Sequence, residues 1–532
     1  MLTFFSLTIA FSFILAYITT HIKIFKMSQI IFSKIFFSLS ITNLSFLISL
    51  VIIFLAVWAF SFMYMGSKAN PYFNIIFLLF VLSMVIFILV EDFFILFLGW
   101  DGLGIVSFLL IIFYSNISSM KSAVITIISN RVGDIMMIST LAMFFFYNFN
   151  MQLASFTSSI SFAVLVLILA LILSKSAQFP FMDWLPKAMA APTPVSALVH
   201  SSTLVTAGIF LSFKILQNMT VPFTFLTIMG LLTLLFSSLG AIVESDFKKL
   251  IALSTLSQLS LMTISLSLNL LSLTYSHMII HAFFKASLFM IIGIFMLTNF
   301  SEQMTQFFTL KTMNLQLKSF LLFNILSLMG MFFLSAFYSK DFLLKSIFSN
   351  TSIFLFLIFV LGCYCTVIYS MRFFKEFNNK FQTHSTGQVN SSIKTHFMNF
   401  SLLAMSVVSG FLLNYNSFLF FNTMISFKLL DIMIFFTIPL SFSTFYKLDF
   451  KKFFNTLSLN KIFAYKIALN MTFSVLKNIW NSMENFWVEK LVSSEFPTKN
   501  LYLESKKLNF NTLFKQSLVF LAIFMLLNSL LM

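Results

Sequence analysis

Charge, glycine, proline and cysteine are all scarce in this chain of 532 residues, and each scarcity excludes something. Only 9% of the residues are charged against 59% hydrophobic, a balance that rules out a soluble enzyme and leaves a polytopic membrane protein. The two cysteines, Cys363 and Cys365, stand two positions apart in one apolar run. They are too few and too buried for a disulfide framework or a metal site, and packing is their expected role. There is no cysteine cluster for iron–sulfur, no nucleotide-binding glycine loop and no haem-ligand arrangement, so no redox cofactor is expected on this chain. Of 32 basic residues only two, Arg131 and Arg372, are arginine, and of eight prolines four, Pro180, Pro186, Pro192 and Pro194, crowd into fifteen residues.

What is present is lipid-soluble sequence, with a mean hydropathy of +1.00. About fifteen apolar runs are long enough to cross roughly 30 Å of hydrocarbon as helices. They are expected at 2–17, 35–60, 75–90, 93–113, 122–146, 160–178, 193–217, 222–243, 250–268, 270–298, 317–337, 341–371, 396–414, 429–446 and 514–532. These runs are continuous, not alternating, which favours helices over a barrel. The net charge of +16 comes mostly from lysines flanking the spans, where loop anchoring and not nucleic-acid binding is the ordinary role. Basic loops at Lys248-Lys249, Lys311 to Lys318, Arg372 to Lys394 and 447–513 share one parity and are assigned to the positive, inner face; His21 to Lys34 has the opposite parity. The opening MLTFFSLTIAF lacks an Arg-rich transit segment, and 2–17 lacks a basic leader and cleavage site, so a retained first span is expected. The 78 phenylalanines and near-absence of arginine point to an AT-rich coding genome of the organellar kind.

The spans group into two blocks of five predicted helices, 75–217 and 222–371, after N-terminal helices in 1–74. Each block contains a late helix broken beside a lysine. The first break follows Lys175 and holds Pro180, Pro186, Pro192 and Pro194; the second is predicted at Tyr338-Ser-Lys-Asp341. An odd number of helices per repeat inverts the second copy, as in many transporters, where broken helices expose backbone to a buried aqueous path; a coincidence of lengths is the competing reading. C-terminal helices follow in 372–446. In 447–513, residues Tyr465, Leu469, Phe473, Leu476, Trp480, Met483, Trp487 and Leu491 recur at spacings of three and four, which predicts an amphipathic helix. Helical throughout 451–496, it would extend ~70 Å, along neighbouring helices or on the lipid surface. A terminal span is expected at 514–532.

Ionisable residues inside apolar spans are expensive and point to an ion path. Asp101, in GWDGLGIVSFLL, is a carboxylate among glycines that permit close helix approach. Lys175 has no acid within helical reach in sequence, so its partner must come from another helix, and Asp101 is the candidate. Arg131 and Asp134 lie three residues apart on one helix face, suited to a structural ion pair or to the path itself. His200 follows the broken segment among hydroxyls, and His277, His281 and Lys285, spaced by four, form one polar stripe fit for a proton wire. A metal there would need a third protein ligand and is not expected. Lys340 and Asp341 are neighbours that make sense together only where a helix is interrupted.

The motifs GWDGLGIVSFLL, NRVGD, KSAQFPFMDWLPKAMAAPTPVSALVHSSTLVTAGIF, FKKLIALSTLSQLSLM, HAFFKASLFM and FYSKD, in this order over roughly 91–345, resemble the antiporter-like subunits of the mitochondrial NADH:ubiquinone oxidoreductase, respiratory complex I, and among them the subunit 5 branch. The resemblance implies a proton-translocating membrane-arm subunit of the mitochondrial inner membrane, beside other antiporter-like subunits and lipid, with NADH, FMN, iron–sulfur clusters and ubiquinone held by partner subunits. It implies Lys175 as the pumping lysine of one half-channel with Asp101 as its modulating acid, His200, His277, His281 and Lys285 as the central axis, and Lys340 with Asp341 as the second half. It makes the amphipathic tail a lateral helix. Asp101 departs from the glutamate of many members, and the chain has about one helix fewer before its first motif. The competing readings are a subunit of a multisubunit cation/proton antiporter, which shares the core motifs, and a scaffold that transports nothing.

Overall fold

The computed structural model describes residues 31–32, 35–36, 41–66, 71–146, 162–216, 224–298, 315–331, 334–350, 352–378 and 399–407. A two-residue antiparallel pair, β1 (Ile31–Phe32) with β2 (Ile35–Phe36), precedes the helices. They run α1 (Ile41–Met65), α2 (Pro71–Leu89), α3 (Phe93–Ile112), α4 (Ile117–Phe146), α5 (Phe162–Lys175), the short α6 (Trp184–Ala188) and α7 (Thr193–Leu216). Then come α8 (Thr224–Val243), α9 (Phe247–Ser267), α10 (Leu271–Thr298), α11 (Leu315–Met329), α12 (Ser335–Asn350) and α13 (Ile353–Asn378). Among the described residues nine helices are long and apolar enough to span a membrane. The expected spans at 2–17, 429–446 and 514–532, and the amphipathic segment in 447–513, lie outside the described residues.

One correction concerns the run 341–371, expected as a single span. It is two helices: α12 ends at Asn350 and α13 starts at Ile353.

Burial sorts the helices into a centre and a rim. The spanning windows of α7, α9 and α10 are wholly buried, whereas those of α1 to α4, α8 and α13 are about half buried. On α2 the buried positions Phe73, Phe77, Phe80, Met84 and Phe87 recur every three or four residues, and the exposed ones, Tyr72, Ile75, Leu79, Leu82 and Ile86, are equally apolar. A helix apolar all round has one stripe for protein and the rest for lipid. The central helices can carry polar groups because protein and not hydrocarbon surrounds them. On α9 the hydroxyls of Ser254, Thr255, Ser257, Ser260, Thr263, Ser265 and Ser267 each donate to the carbonyl three residues back, at 2.6–2.9 Å. The buried oxygens are thereby satisfied inside the helix.

At the end of α8, Arg372 of α13 donates through Nη1 to the Ile242 carbonyl and through Nη2 to the Glu244 carbonyl at 2.8 Å. Lys249 pairs with Asp246 in the same turn. Lys248, counted in sequence as a loop cation, is instead buried in the first turn of α9.

Burial raises the Glu244 carboxyl above the usual carboxylate range; Lys249 and Arg372 oppose the shift and Asp246 reinforces it. A folded value above the unfolded one favours the fold fully below the unfolded value, and that contribution is lost as pH rises through the folded value. Glu244→Gln cannot ionise, so it is expected to unfold at a higher temperature than the natural protein at about pH 8 and to lose that margin near about pH 4, as read by thermal denaturation in detergent.

Candidate functional site

The first break is built by proline. α5 stops at Lys175; Pro180 lies in the following turn, Pro186 within α6, Pro192 immediately before α7 and Pro194 in its first turn. Proline has no amide hydrogen to continue a helical ladder but fits a helix start. The next two turns of α7, Ser196–Thr203, are π-helical, with Thr203 Oγ1 donating to the Leu198 carbonyl five residues back at 2.8 Å. His200 stands in this stretch, buried, its ring 6.4 Å from that of Trp184.

At the end of α5 helices α3 and α4 converge on Lys175. Its Nζ donates to the Trp100 carbonyl at 3.0 Å and stands over the Trp100 ring, 4.8 Å from the centroid. Two glycines make the room. A Cβ on Gly133 would collide with Ser174 Oγ, and one on Gly104 would lie 3.4 Å from Lys175 Nζ. The sequence reading paired Asp101 with Lys175, and the structure corrects it: Arg131 Nη1 lies 3.0 Å from Asp101 Oδ1 and 3.3 Å from Asp134 Oδ2. Asp134 also accepts from Trp100 Nε1 at 3.0 Å. Both carboxylates remain within electrostatic reach of Lys175. The Arg131 guanidinium spans both acids.

The second break differs from expectation in place. α11 ends at Met329, and Gly330 after it, with a φ of +81°, opens a turn in which Gly330 N donates to the Ser327 carbonyl at 3.1 Å and Met331 N to that of Leu326 at 3.2 Å. That pairing leaves the last two carbonyls of the helix, and Lys340 Nζ takes both, Leu328 at 2.7 Å and Met329 at 3.2 Å. Tyr338-Ser-Lys-Asp341 therefore lies inside a regular α12, and the interruption precedes it. On that helix Lys340 and Asp341 point apart, and Asp341 Oδ2 pairs with Lys345 Nζ at 2.9 Å.

Between the breaks α10 carries the polar stripe. His277 Nδ1 shares a hydrogen with Ser339 Oγ at 2.7 Å, next to Lys340 on α12. The His277 and His281 rings are 6.4 Å apart, and Lys285 Nζ donates to Ser254 Oγ at 2.5 Å. Among the described residues neither ring nitrogen of His200 or of His281 has a protein hydrogen-bond partner. Buried polar atoms of this kind are satisfied by water, which a proton chain uses.

Residues 90–366 match the family described as NADH:quinone oxidoreductase/Mrp antiporter, TM. NADH-ubiquinone oxidoreductase chain 5 of Caenorhabditis elegans is 35% identical over 503 residues, 90% of this chain and 91% of that one. This chain belongs to the chain 5 family. The chain 5 protein of Aedes aegypti is 38% identical over 408 residues, 74% of this chain and 69% of its own length. Two solved structures share the fold: the Mrp complex from Dietzia sp. DQ12-45-1b, with a TM-score of 0.60 at 20% identity over 90% of this chain and 60% of that one, and the archaeal membrane-bound sulfane sulfur reductase, with a TM-score of 0.63 at 18% identity over 77% and 89%.

Against this family background, three buried or half-buried lysines stand outside the stripe that sequence reasoning drew. Lys214 donates to the carbonyls of Ile88 at 2.7 Å and Val90 at 3.1 Å, closing the end of α2 from the far end of α7. Lys248 donates to the Ala191 carbonyl at 3.1 Å, inside the first break. Lys345 holds Asp341. Lys214 was visible as a charge within the same apolar run as His200; the other two gave no signal apart from their charge.

Lys214→Met would strand the carbonyls it closes, an expected cost of about 1–3 kcal/mol that Lys214→Arg recovers, measured by chemical denaturation. Gly330→Ala forces an L side chain into a left-handed conformation with its Cβ 3.0 Å from Lys340 Cδ. The expected loss is about 1–2 kcal/mol in the same assay.

Proposed function

We propose that this chain is a proton-translocating membrane-arm subunit of NADH:ubiquinone oxidoreductase, moving protons across the membrane while quinone is reduced in other subunits. The observation that carries the reading is the placement of its ionisable groups. His200, His277, His281 and Lys285 all lie on the wholly buried central helices, between a break finished by Lys175 and one finished by Lys340. A soluble-like charge network has no reason to sit there, and a packing core gains nothing from it.

Asp101, Lys175, His200, His277, His281, Lys285, Lys340 and Asp341 are the translocation residues in this reading. Arg131 with Asp134 is the supporting pair, and Pro180, Pro186, Pro192 and Pro194 maintain the first break. In each proposed repeat, 75–217 and 222–371, the fourth helix from the start, α5 or α11, ends at the break, which supports two inverted copies. Roughly fifteen spans in all, and a lateral helix within 447–513, complete the proposed architecture.

The chain's site is the mitochondrial inner membrane, with organellar coding. Its partners are other membrane-arm subunits, neighbouring antiporter-like ones above all. Arg131, halfway along α4, supports this: its side chain is 45% exposed at a depth where a guanidinium facing hydrocarbon is costly, so a neighbouring protein surface covers it. NADH, FMN, iron–sulfur clusters and ubiquinone belong to partner subunits.

Mildly solubilised membranes separated on a native gel are expected to carry this chain in a very large band that oxidises NADH. Migration in a smaller assembly without that activity would favour a cation/proton antiporter, whose Mrp relative shares the fold. In the intact complex, Lys175→Gln and Lys340→Gln are each expected to slow proton transfer through their half by about a hundredfold or more, read as protons moved per NADH oxidised. A scaffold would leave that ratio unchanged.

A further inference from the structure

Lys285 rests on a hydroxyl, and beyond that hydroxyl lies a second group of polar side chains. Lys285 Nζ donates to Ser254 Oγ of α9 at 2.5 Å. Three residues further along α9, the hydroxyls of Ser257 and of Tyr369, on α13, are hydrogen-bonded at 2.9 Å. The Gln258 amide, wholly buried, lies beside the Tyr369 hydroxyl. Among the described residues neither its Nε2 nor its Oε1 completes a hydrogen bond, the condition in which a buried amide holds water.

A cavity of about 10 Å³ adjoins these groups, walled by Ser254, Tyr369 and Ser370 and by the apolar side chains of Leu250, Leu328 and Phe373. That is about the space one water needs, and residues bearing hydroxyls wall it from α9 and from α13. Its depth follows from the helices. Ser254 is in the first half of α9, and Tyr369 and Ser370 are in the second half of α13. The cavity therefore lies between Lys285 and the face where α9 begins and α13 ends. At that face Arg372, one turn beyond Tyr369, donates to the carbonyls of Ile242 and Glu244, and Lys249 pairs with Asp246. The basic loops assign this face to the inner side.

We propose that Ser254 and Tyr369, with one water in the cavity between them, are the inner-face access to Lys285. The proposal rests on the translocation reading above. A hydroxyl both donates and accepts, so each member can hand on one hydrogen while taking another. The neutral Lys285 amine takes the hydrogen of Ser254 Oγ as Ser254 takes one from the water, and the water takes one from the Tyr369 hydroxyl. A proton drawn from the inner face restores the phenol. No bond between heavy atoms changes, and the net result is one proton on Lys285 Nζ.

The test is the number of protons moved per NADH oxidised by the intact complex in sealed vesicles, with assembly read from NADH oxidation in uncoupled vesicles. Tyr369→Phe keeps the ring and removes the hydroxyl. It is expected to lose the same share of the proton yield as Lys285→Gln. Its coupled rate is also expected to fall by a larger factor in D2O than that of the natural complex, because transfer along this row has become limiting. A packing fault would leave that factor unchanged. Should Tyr369→Phe fail to assemble, Ser370→Val, which puts methyl groups against the cavity in place of a hydroxyl, is expected to show the same loss and the same isotope response. A full yield in the assembled variant beside a loss in Lys285→Gln overturns the proposal, as does a loss with an unchanged isotope factor. A full yield in Lys285→Gln overturns the translocation reading itself.

Discussion

A backbone carbonyl that has lost its helical partner cannot be left bare at membrane depth, and the buried cations of this chain answer that constraint. Each unsatisfied group there costs several kcal/mol by the general rule for hydrocarbon. Lys340 closes the end of α11, Lys214 that of α2, Arg372 that of α8, and Lys248 takes the Ala191 carbonyl in the first break. Breaks and cations are therefore one design problem: the break supplies free acceptors, and the acceptors make a buried ammonium tolerable.

The same constraint decides where the polar row can run. The spanning windows of α7, α9 and α10 are wholly buried, so His200, His277, His281 and Lys285 lie on helices surrounded by protein. The π-helical stretch around His200 and the stripe of His277, His281 and Lys285 then share one interior, with Ser339 and Ser254 as the hydroxyls that join it to α12 and α9.

Much of this was legible in the residues. Long apolar runs located α2, α3, α7, α8, α9 and α10 to within a few positions, because length and hydropathy are the very properties a span requires. The period of four in α10 and the prolines after Lys175 were equally direct. The second break was misplaced because its one signal is a single glycine, Gly330, in an apolar run, while Tyr338-Ser-Lys-Asp341 drew attention through polarity that a regular helix accommodates. Lys248 and Lys249 looked alike as neighbours in a loop. One residue of helix turns a side chain by about 100°, which buries the first and leaves the second at the surface. Pairings across helices were not legible: Arg131 and Asp134 are visible at three apart, but the reach of Arg131 to Asp101 depends on how α3 and α4 pack.

Neutral partners have a consequence for proton transfer that charged ones lack. A carbonyl accepts a hydrogen bond from an ammonium and from a neutral amine, so Lys175 and Lys340 keep a partner in either protonation state. A carboxylate at contact favours the ammonium alone; at an effective dielectric of about 20 a pair of charges 4 Å apart gains about 4 kcal/mol, nearly a thousandfold in the protonation equilibrium. A lysine so held binds its proton but does not release it. Here Asp101 and Asp134 rest on Arg131, within electrostatic reach of Lys175 but not bonded to it, so the lysine keeps the neutral partner that serves both its protonation states.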